Sequence, residues 1–269
     1  SEIAQDFRTA SMEAMSAGNF EVGVLGRFGS IVYAFVQGYP LATLLPNIDS
    51  VLEQEKALKV SSHKHTTREY SNSAKQIAGT LSIDWQNFTN VNGHDNVNHL
   101  SGIAVYWRHL FLATYLGRYE LAEIVYDKMM AAKMVGNDFT SQTTIPLFVG
   151  LMASNRYWQT NQRKYANLLR KCKKQLKKIC DTKGKIVLNR YLLLRAEAKS
   201  ITSSTTMPTY VRQCYDKTID LSQRNGQIHE AGLACEMAGE HILRSSIDGD
   251  DLAREYFTRA MEFYQAWGA

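Results

Sequence analysis

Apolar residues recur along this chain at helical spacing almost from end to end, and no stretch shows the two-residue alternation of a half-buried strand. The pattern predicts helices at about 2–16, 20–37, 41–59, 65–88, 97–116, 119–134, 139–153, 157–181, 185–201, 208–225, 227–245 and 249–267. Turn chemistry separates them: Gly18-Asn19, Gly38-Tyr39-Pro40, Asn92-Gly93-His94, Gly136-Asn137, Gly184, Asn225-Gly226 and Asp248-Gly249. Ser200–Thr206, rich in hydroxyl residues and followed by Met207-Pro208, reads as a flexible hairpin turn. Twelve helices on short connections imply six antiparallel hairpins.

A degenerate repeat runs through the pattern. In tetratricopeptide hairpins the second helix carries a small residue, an aromatic four positions later and a small residue three after that. Small residues admit close helix approach, and the aromatic fills the gap to the next hairpin. Ala253, Phe257 and Ala260 have this spacing. Gly117, Tyr119, Ala122 and Tyr126 give a second copy, with Met129 in the last small slot; Val211, Tyr215, Thr218 and a lone Ala166 give weaker ones. Successive first positions at 122, 166, 211 and 253 are spaced well beyond the usual period of about 34. The expected fold is all-α: a right-handed superhelical stack of helix hairpins over residues 1–269, one domain with a concave groove.

Charge changes the picture at one place. The chain has 31 Lys and Arg against 26 Asp and Glu, a formal net of +5. Between Arg156 and Arg190 twelve cations meet the single acid Asp181, so the remainder of the chain is net acidic. At 100° per residue, Tyr165, Leu168, Leu169, Cys172, Leu176 and Ile179 share one face of the helix at 157–181. Arg163, Arg170, Lys171, Lys173, Lys174, Lys177 and Lys178 fill the opposite face. This face has three readings: a solvating surface, a dock for an acidic protein surface, or a contact for nucleic acid or anionic lipid. Nucleic-acid binding adds aromatic stacking to charge, and here the aromatics sit on the apolar side.

Signatures of catalysis are missing. Gly23, Gly26 and Gly29 are spaced GxxGxxG with no strand before them, and three helix-interior glycines are better explained by close helix packing beside Ala34. Lys183-Gly184-Lys185 lacks the hydroxyl residue of a phosphate loop. His63-Lys64-His65 and His94…His99 have no cysteine nearby and do not match zinc spacing. Cys172, Cys180, Cys214 and Cys235 are too few for a disulfide framework and point to a reducing, cytoplasmic setting. Asp250-Asp251 reads as a helix start. No catalytic residue, cofactor or metal is expected. No apolar run reaches membrane-spanning length. An acidic N-terminus without initiator Met, and the ending Trp267-Gly268-Ala269, suggest a segment of a longer protein.

The run from Gly226-Gln227-Ile228-His229-Glu230 to Glu240, with Ala253-Arg254-Glu255-Tyr256-Phe257, Ala260 and Tyr264-Gln265-Ala266-Trp267-Gly268-Ala269, resembles the closing part of a known helical region. That region is the tetratricopeptide-like segment following the ATPase module in very large signalling proteins. These proteins join a serine/threonine kinase-like domain, a STAND/AAA-type ATPase, the helical region, a GAF domain and a histidine kinase or cyclase output. Gly18-Asn19-Phe20-Glu21, Gly38-Tyr39-Pro40-Leu41, Tyr115–Tyr119, Thr144–Phe148 and Asn189–Ala198 are similar to its earlier parts. One departure stands out: Cys180–Lys185 replaces a stretch that is His/Ala/Pro/Asn-rich in the family. The resemblance implies a regulatory module that binds proteins, with kinase or ATPase activity left to flanking domains. A small ligand held in the concave groove is the second reading, and a nucleic-acid or acidic-partner adaptor using the basic helix the third.

Overall fold

The computed structural model describes residues 2–60, 64–89, 99–134, 136, 138–184, 187–202, 209–245 and 249–269. Among these residues there are twelve α-helices and no strand: α1 Glu2–Ser16, α2 Phe20–Val36, α3 Leu41–Ala57, α4 Lys64–Ile77, α5 His99–Tyr115, α6 Tyr119–Ala131, α7 Phe139–Thr160, α8 Arg163–Lys183, α9 Leu188–Ser200, α10 Thr209–Arg224, α11 Ile228–Ser245 and α12 Asp250–Trp267. They pack sequentially in pairs, as in a helical-repeat stack. The four repeat positions Ala122, Ala166, Val211 and Ala253 fall on α6, α8, α10 and α12, and all four are buried. The degenerate repeat is therefore one copy per two helices.

Most helices end through the same local device. A residue with positive φ follows the last turn, and the next N–H reaches back to a carbonyl five residues earlier. At Gly117 (φ +65°) the Arg118 N–H donates to the Ala113 carbonyl at 2.7 Å. Gly79 (φ +69°) does the same, with Thr80 donating to Lys75, and so ends α4 at Ile77 rather than near 88. Two closures use lysine instead of glycine, Lys59 at φ +56° and Lys133 at φ +54°.

The boundary between α7 and α8 also differs from the expected one. The expected gap between helices at 153 and 157 is instead continuous helix, and Ser154 and Asn155 are buried inside α7. Ser154 donates to Glu197, and the Asn155 side-chain amide lies 3.9 Å from the Met237 sulfur. Their polarity is satisfied by tertiary partners instead of by a loop. Helix α7 runs on to Thr160 and stops at Asn161, which adopts the left-handed conformation (φ 53°, ψ 21°). Helix α8 therefore starts at Arg163 instead of near 157.

The chain divides into two compact units: 1–108 with 266–269, and 109–265. In the first, Phe35, Tyr70 and Trp107 make an aromatic core, Phe35 meeting Tyr70 edge-on at 5.6 Å between centroids. Leu41, Leu44, Ile48 and Val51 supply the buried stripe of α3. The three glycines of α2 have the packing role expected of them, though the helix they admit is α1. An added Cβ would lie 2.6 Å from Met15 at Gly23, 3.0 Å from Ser11 at Gly26 and 2.8 Å from Phe7 at Gly29. In the second unit Leu147, Leu151, Leu169, Leu176, Leu194, Ile219 and Leu233 are at most 1% exposed. Gly232 and Gly239 of α11 face Tyr264 and Phe257 of α12 closely enough that a Cβ would collide.

Candidate functional site

Helix α8 buries Tyr165, Ala166, Leu169, Cys172, Leu176 and Ile179, while Leu168 is half-buried. This is the stripe that the sequence pattern selects, and it fixes which way the cations point. Arg163, Arg170, Lys171, Lys174, Lys177 and Lys178 are exposed, and Lys173 is half-buried. Lys177 sits 3.9 Å from Asp181 with both side chains mostly exposed, a contact worth little. Among the described residues, Arg163, Arg170, Lys171, Lys173, Lys174 and Lys178 make no ion pair.

The start of α8 is treated differently. Glu123 of α6 accepts from the Tyr165 hydroxyl at 2.6 Å, Arg156 Nε at 2.8 Å and Lys164 Nζ at 3.2 Å. Partial burial pushes this carboxyl up, but the three donors outweigh it and hold it below its ordinary value. Lys164 also lies over the Tyr165 ring, 4.5 Å from its centroid. Its charge is thus committed to holding α6, α7 and α8 together.

The remaining cations divide between two clefts. Lys171 borders an apolar one of about 170 Å³ walled by Tyr126, Met129, Ile145, Pro146 and Cys172. Arg163, Arg170 and Lys173 border another of about 470 Å³, closed on its far side by Lys199 with Ala198 and Ile201 from the end of α9, and by Tyr157 and Asn161 from the end of α7. No Asp or Glu lines this second cleft among the described residues. Burial, followed by Lys199, Arg195 and Arg170, lowers the Lys173 pKa. The sequence pattern found the α8 half of this cleft. It does not reach Lys199, which lies on another helix, or Tyr157 and Asn161, because α7 runs to Thr160, beyond the expected end at 153. A third cleft of about 480 Å³, between α1, α2 and α3, is lined by Met12, Met15, Ile31 and Val51 with Arg8 and Arg27.

Beneath the surface lies a polar network built from Asn189–Ala198 and Gln227–Glu240, both segments that carry the resemblance noted above. The Asn189 side-chain N–H group is within 3.0 Å of Ser222, Gln227 and Glu230 oxygens. Arg190 pairs with Glu230 at 2.6 Å, both about 95% buried, and donates to the Thr143 hydroxyl at 2.8 Å. Glu197 is fully buried and accepts from Ser154 and from the Tyr215 hydroxyl, the latter at 2.6 Å. Burial raises its pKa despite Arg244 and these donors. Tyr264 donates to Glu236 at 2.6 Å. These groups bond one another inside the packing, with only the Asn189 Oδ1 among them left without a partner, so the network specifies how α7, α9, α10 and α11 register.

The repeat positions are distributed as follows. Tyr119 and Ala122 of α6 are buried and Tyr126 is half-buried. Ala253 and Ala260 of α12 are buried, and Phe257 is the residue facing Gly239. Gly117 serves the turn before α6 and not the helix interface: an added Cβ would meet nothing within 4 Å. The histidine groups at 63–65 and 94–99 lie outside the described side chains. Among the described residues no three His, Cys, Asp or Glu side chains gather as a metal site would require, and no helix is long and apolar enough to cross a membrane. No protein-family model, curated protein or solved structure matches the chain.

Proposed function

We propose that this chain is a helical-repeat docking module that holds an acidic protein surface against the cationic face of α8, and that it serves regulation within a larger signalling protein. The observation that carries this reading is the sign of that face. A surface whose task is solubility intersperses acids with bases. Helix α8 instead exposes cation after cation beside the single acid Asp181, on a scaffold that commits its opposite face to the core. Like charges on adjacent turns repel, so their accumulation costs stability that an anionic partner would restore.

Acidic protein is favoured over nucleic acid by what accompanies the charge. The aromatic of α8, Tyr165, is buried and bound to Glu123 rather than offered as a stacking platform. Binding is favoured over turnover because Glu197, Ser154 and Tyr215 are sealed at 0% exposure, where no substrate reaches them.

The test is fluorescence anisotropy with a labelled glutamate-rich peptide and, separately, a labelled DNA duplex. Wild type should bind the peptide with an affinity that falls as salt rises. Lys174→Glu with Lys178→Glu should weaken it by about tenfold or more, while the helical circular dichroism stays unchanged. Tighter retention of the duplex than of the peptide would hand the face to nucleic acid. No loss on charge reversal would reduce it to a solvating surface.

A further inference from the structure

We infer that the cleft between α1, α2 and α3 is a binding site for a small amphipathic carboxylate, an apolar chain whose anionic head is held by Arg8 and Arg27. The cleft lies within the first compact unit and shares no residue with the cationic face of α8. It therefore stands or falls independently of what docks on that face.

The cleft encloses about 480 Å³, a volume typical of small-molecule sites. Its apolar wall comes from three helices: Met12 and Met15 of α1, Ile31 of α2 and Val51 of α3. Gly23, Gly26 and Gly29 let α1 lie tight on α2, and Met15 itself rests against Gly23, so the α1 side of that wall is fixed by packing. Met12 is 70% exposed. An unbranched, adaptable side chain in that position suits closure over an alkyl chain, which would take its surface out of water.

The charge lining the cleft has one sign. Arg8 and Arg27 reach it from two helices, and no Asp or Glu lines it among the described residues. Elsewhere in this unit cations recruit acids: Lys75 pairs with Asp49 at 3.1 Å and Arg108 with Glu69 at 2.6 Å. Arg27 meets only a neutral hydroxyl, Ser50 at 3.4 Å, and neither arginine makes an ion pair among the described residues. Guanidinium forks match the two oxygens of a carboxylate. Gln54 adds a further requirement. It lines the cleft, and its side-chain oxygen is buried with no hydrogen-bond partner among the described residues. A ligand N–H or O–H beside the anionic head supplies that partner. An N-acyl amino acid has all three features: an apolar chain, an amide N–H and a carboxylate.

The test is isothermal titration of the whole chain with three probes kept below their micelle concentrations: N-octanoylglycine, its neutral amide N-octanoylglycinamide, and undecanoate. Saturable one-to-one uptake of N-octanoylglycine is expected, with the neutral amide weaker by about tenfold or more. Undecanoate, which lacks the N–H, should fall between them. Arg8→Ala with Arg27→Ala should weaken N-octanoylglycine by about tenfold or more while leaving the neutral amide within about twofold. Gln54→Leu should erase the advantage of N-octanoylglycine over undecanoate. Lys56→Ala with Arg68→Ala, both exposed and outside the cleft, should change uptake by less than about twofold. Arg8 is exposed and Arg27 and Gln54 are half-buried, so matching thermal melts are expected for these variants. Absence of saturable uptake overturns the inference. Equal affinity of wild type for the acid and its neutral amide overturns it without recourse to any variant, since the arginines would then read no charge. Equal weakening by the two double variants overturns it as well, because diffuse charge would account for the binding.

Discussion

His241 is 1% exposed, and neither ring nitrogen has a hydrogen-bond partner. Its ring lies 6.1 Å from that of Tyr215, which is bonded to Glu197, and Arg244 stands on the next turn. Burial first, and Arg244 second, push its pKa down from 6.5 to about 4. The folded protein thus holds it neutral, while the unfolded chain takes up a proton below pH 6.5. Its contribution to stability is present above 6.5 and is lost as pH falls through about 4, at about 1.4 kcal/mol per pH unit in between. Glu197 acts in the other direction. Its folded pKa is raised, so its contribution is present below the ordinary 4.5 and is lost as pH rises through the folded value. The two slopes oppose each other above pH 4.5. Urea melts across this range should show His241→Leu flattening or inverting the acid limb, and Glu197→Gln steepening it. A profile unchanged by either would mean that neither group is coupled to folding. Within the same network, Arg190→Leu should cost about 3–5 kcal/mol, because it strands a buried Glu230 carboxylate; adding Glu230→Leu should recover part of the loss. None of these partnerships was legible in the sequence. Asn189, Glu197, Glu230 and His241 each stand alone at helical positions, and only the fold shows which helix faces which.

Helices themselves were much easier to read. Periodicity places all twelve, because each must turn an apolar stripe inward, and the stripe of α8 was identified nearly residue by residue. The failures have a common physical origin. Periodicity overruns the end of α4 because Gly79 looks like any tolerated glycine, and only the fold shows Thr80 bonding back to Lys75. Periodicity stops short of the end of α7 because Ser154 and Asn155 are polar, and only the fold supplies their buried partners. Closures made by ordinary residues leave the faintest trace of all, and Lys133 is one of them. At φ +54° its Cβ is held where glycine would have none, and a left-handed non-glycine residue costs about 1–2 kcal/mol. Replacing it with glycine removes that strain but adds backbone freedom to the unfolded chain, worth about 0.5–1 kcal/mol. Lys133→Gly should therefore stabilise the protein by about 0.5–1 kcal/mol, read as a higher urea midpoint with an unchanged denaturant slope. A lower midpoint would show that the lysine side chain contributes more at this turn than its backbone costs.

Across the whole chain the unequal placement of chemistry matters more than the count of helices. The division into units 1–108 with 266–269 and 109–265 left no mark in composition, since it depends on which distant segments touch. The cleft beside α8 was half visible for the same reason: three of the cations that line it share one helix, and the fourth comes from a neighbour. Cysteine placement turns the division into a measurement. Cys172, Cys180, Cys214 and Cys235 all belong to the second unit, so thiol chemistry reports on that unit alone. Burial pushes the thiols of Cys172 and Cys235 up to about 12. Cys180, half-buried near the end of α8, is raised less, by burial and by Asp181. Because the thiolate is the reactive form, near pH 8 a thiol at 12 is slowed about a thousandfold or more relative to a free one, before any loss of access. Iodoacetamide applied to the native protein, followed by peptide mass spectrometry, should label Cys180 first and leave Cys172 and Cys235 unmodified. Added urea should bring those two up together as the second unit opens. Leu176→Ala, which hollows the core beneath α8, should move that midpoint to lower urea by an amount matching a loss of about 2–5 kcal/mol. Early labelling of Cys172 in native buffer would show instead that α8 lifts from its neighbours without global unfolding, and its cationic face would then sit on a mobile helix.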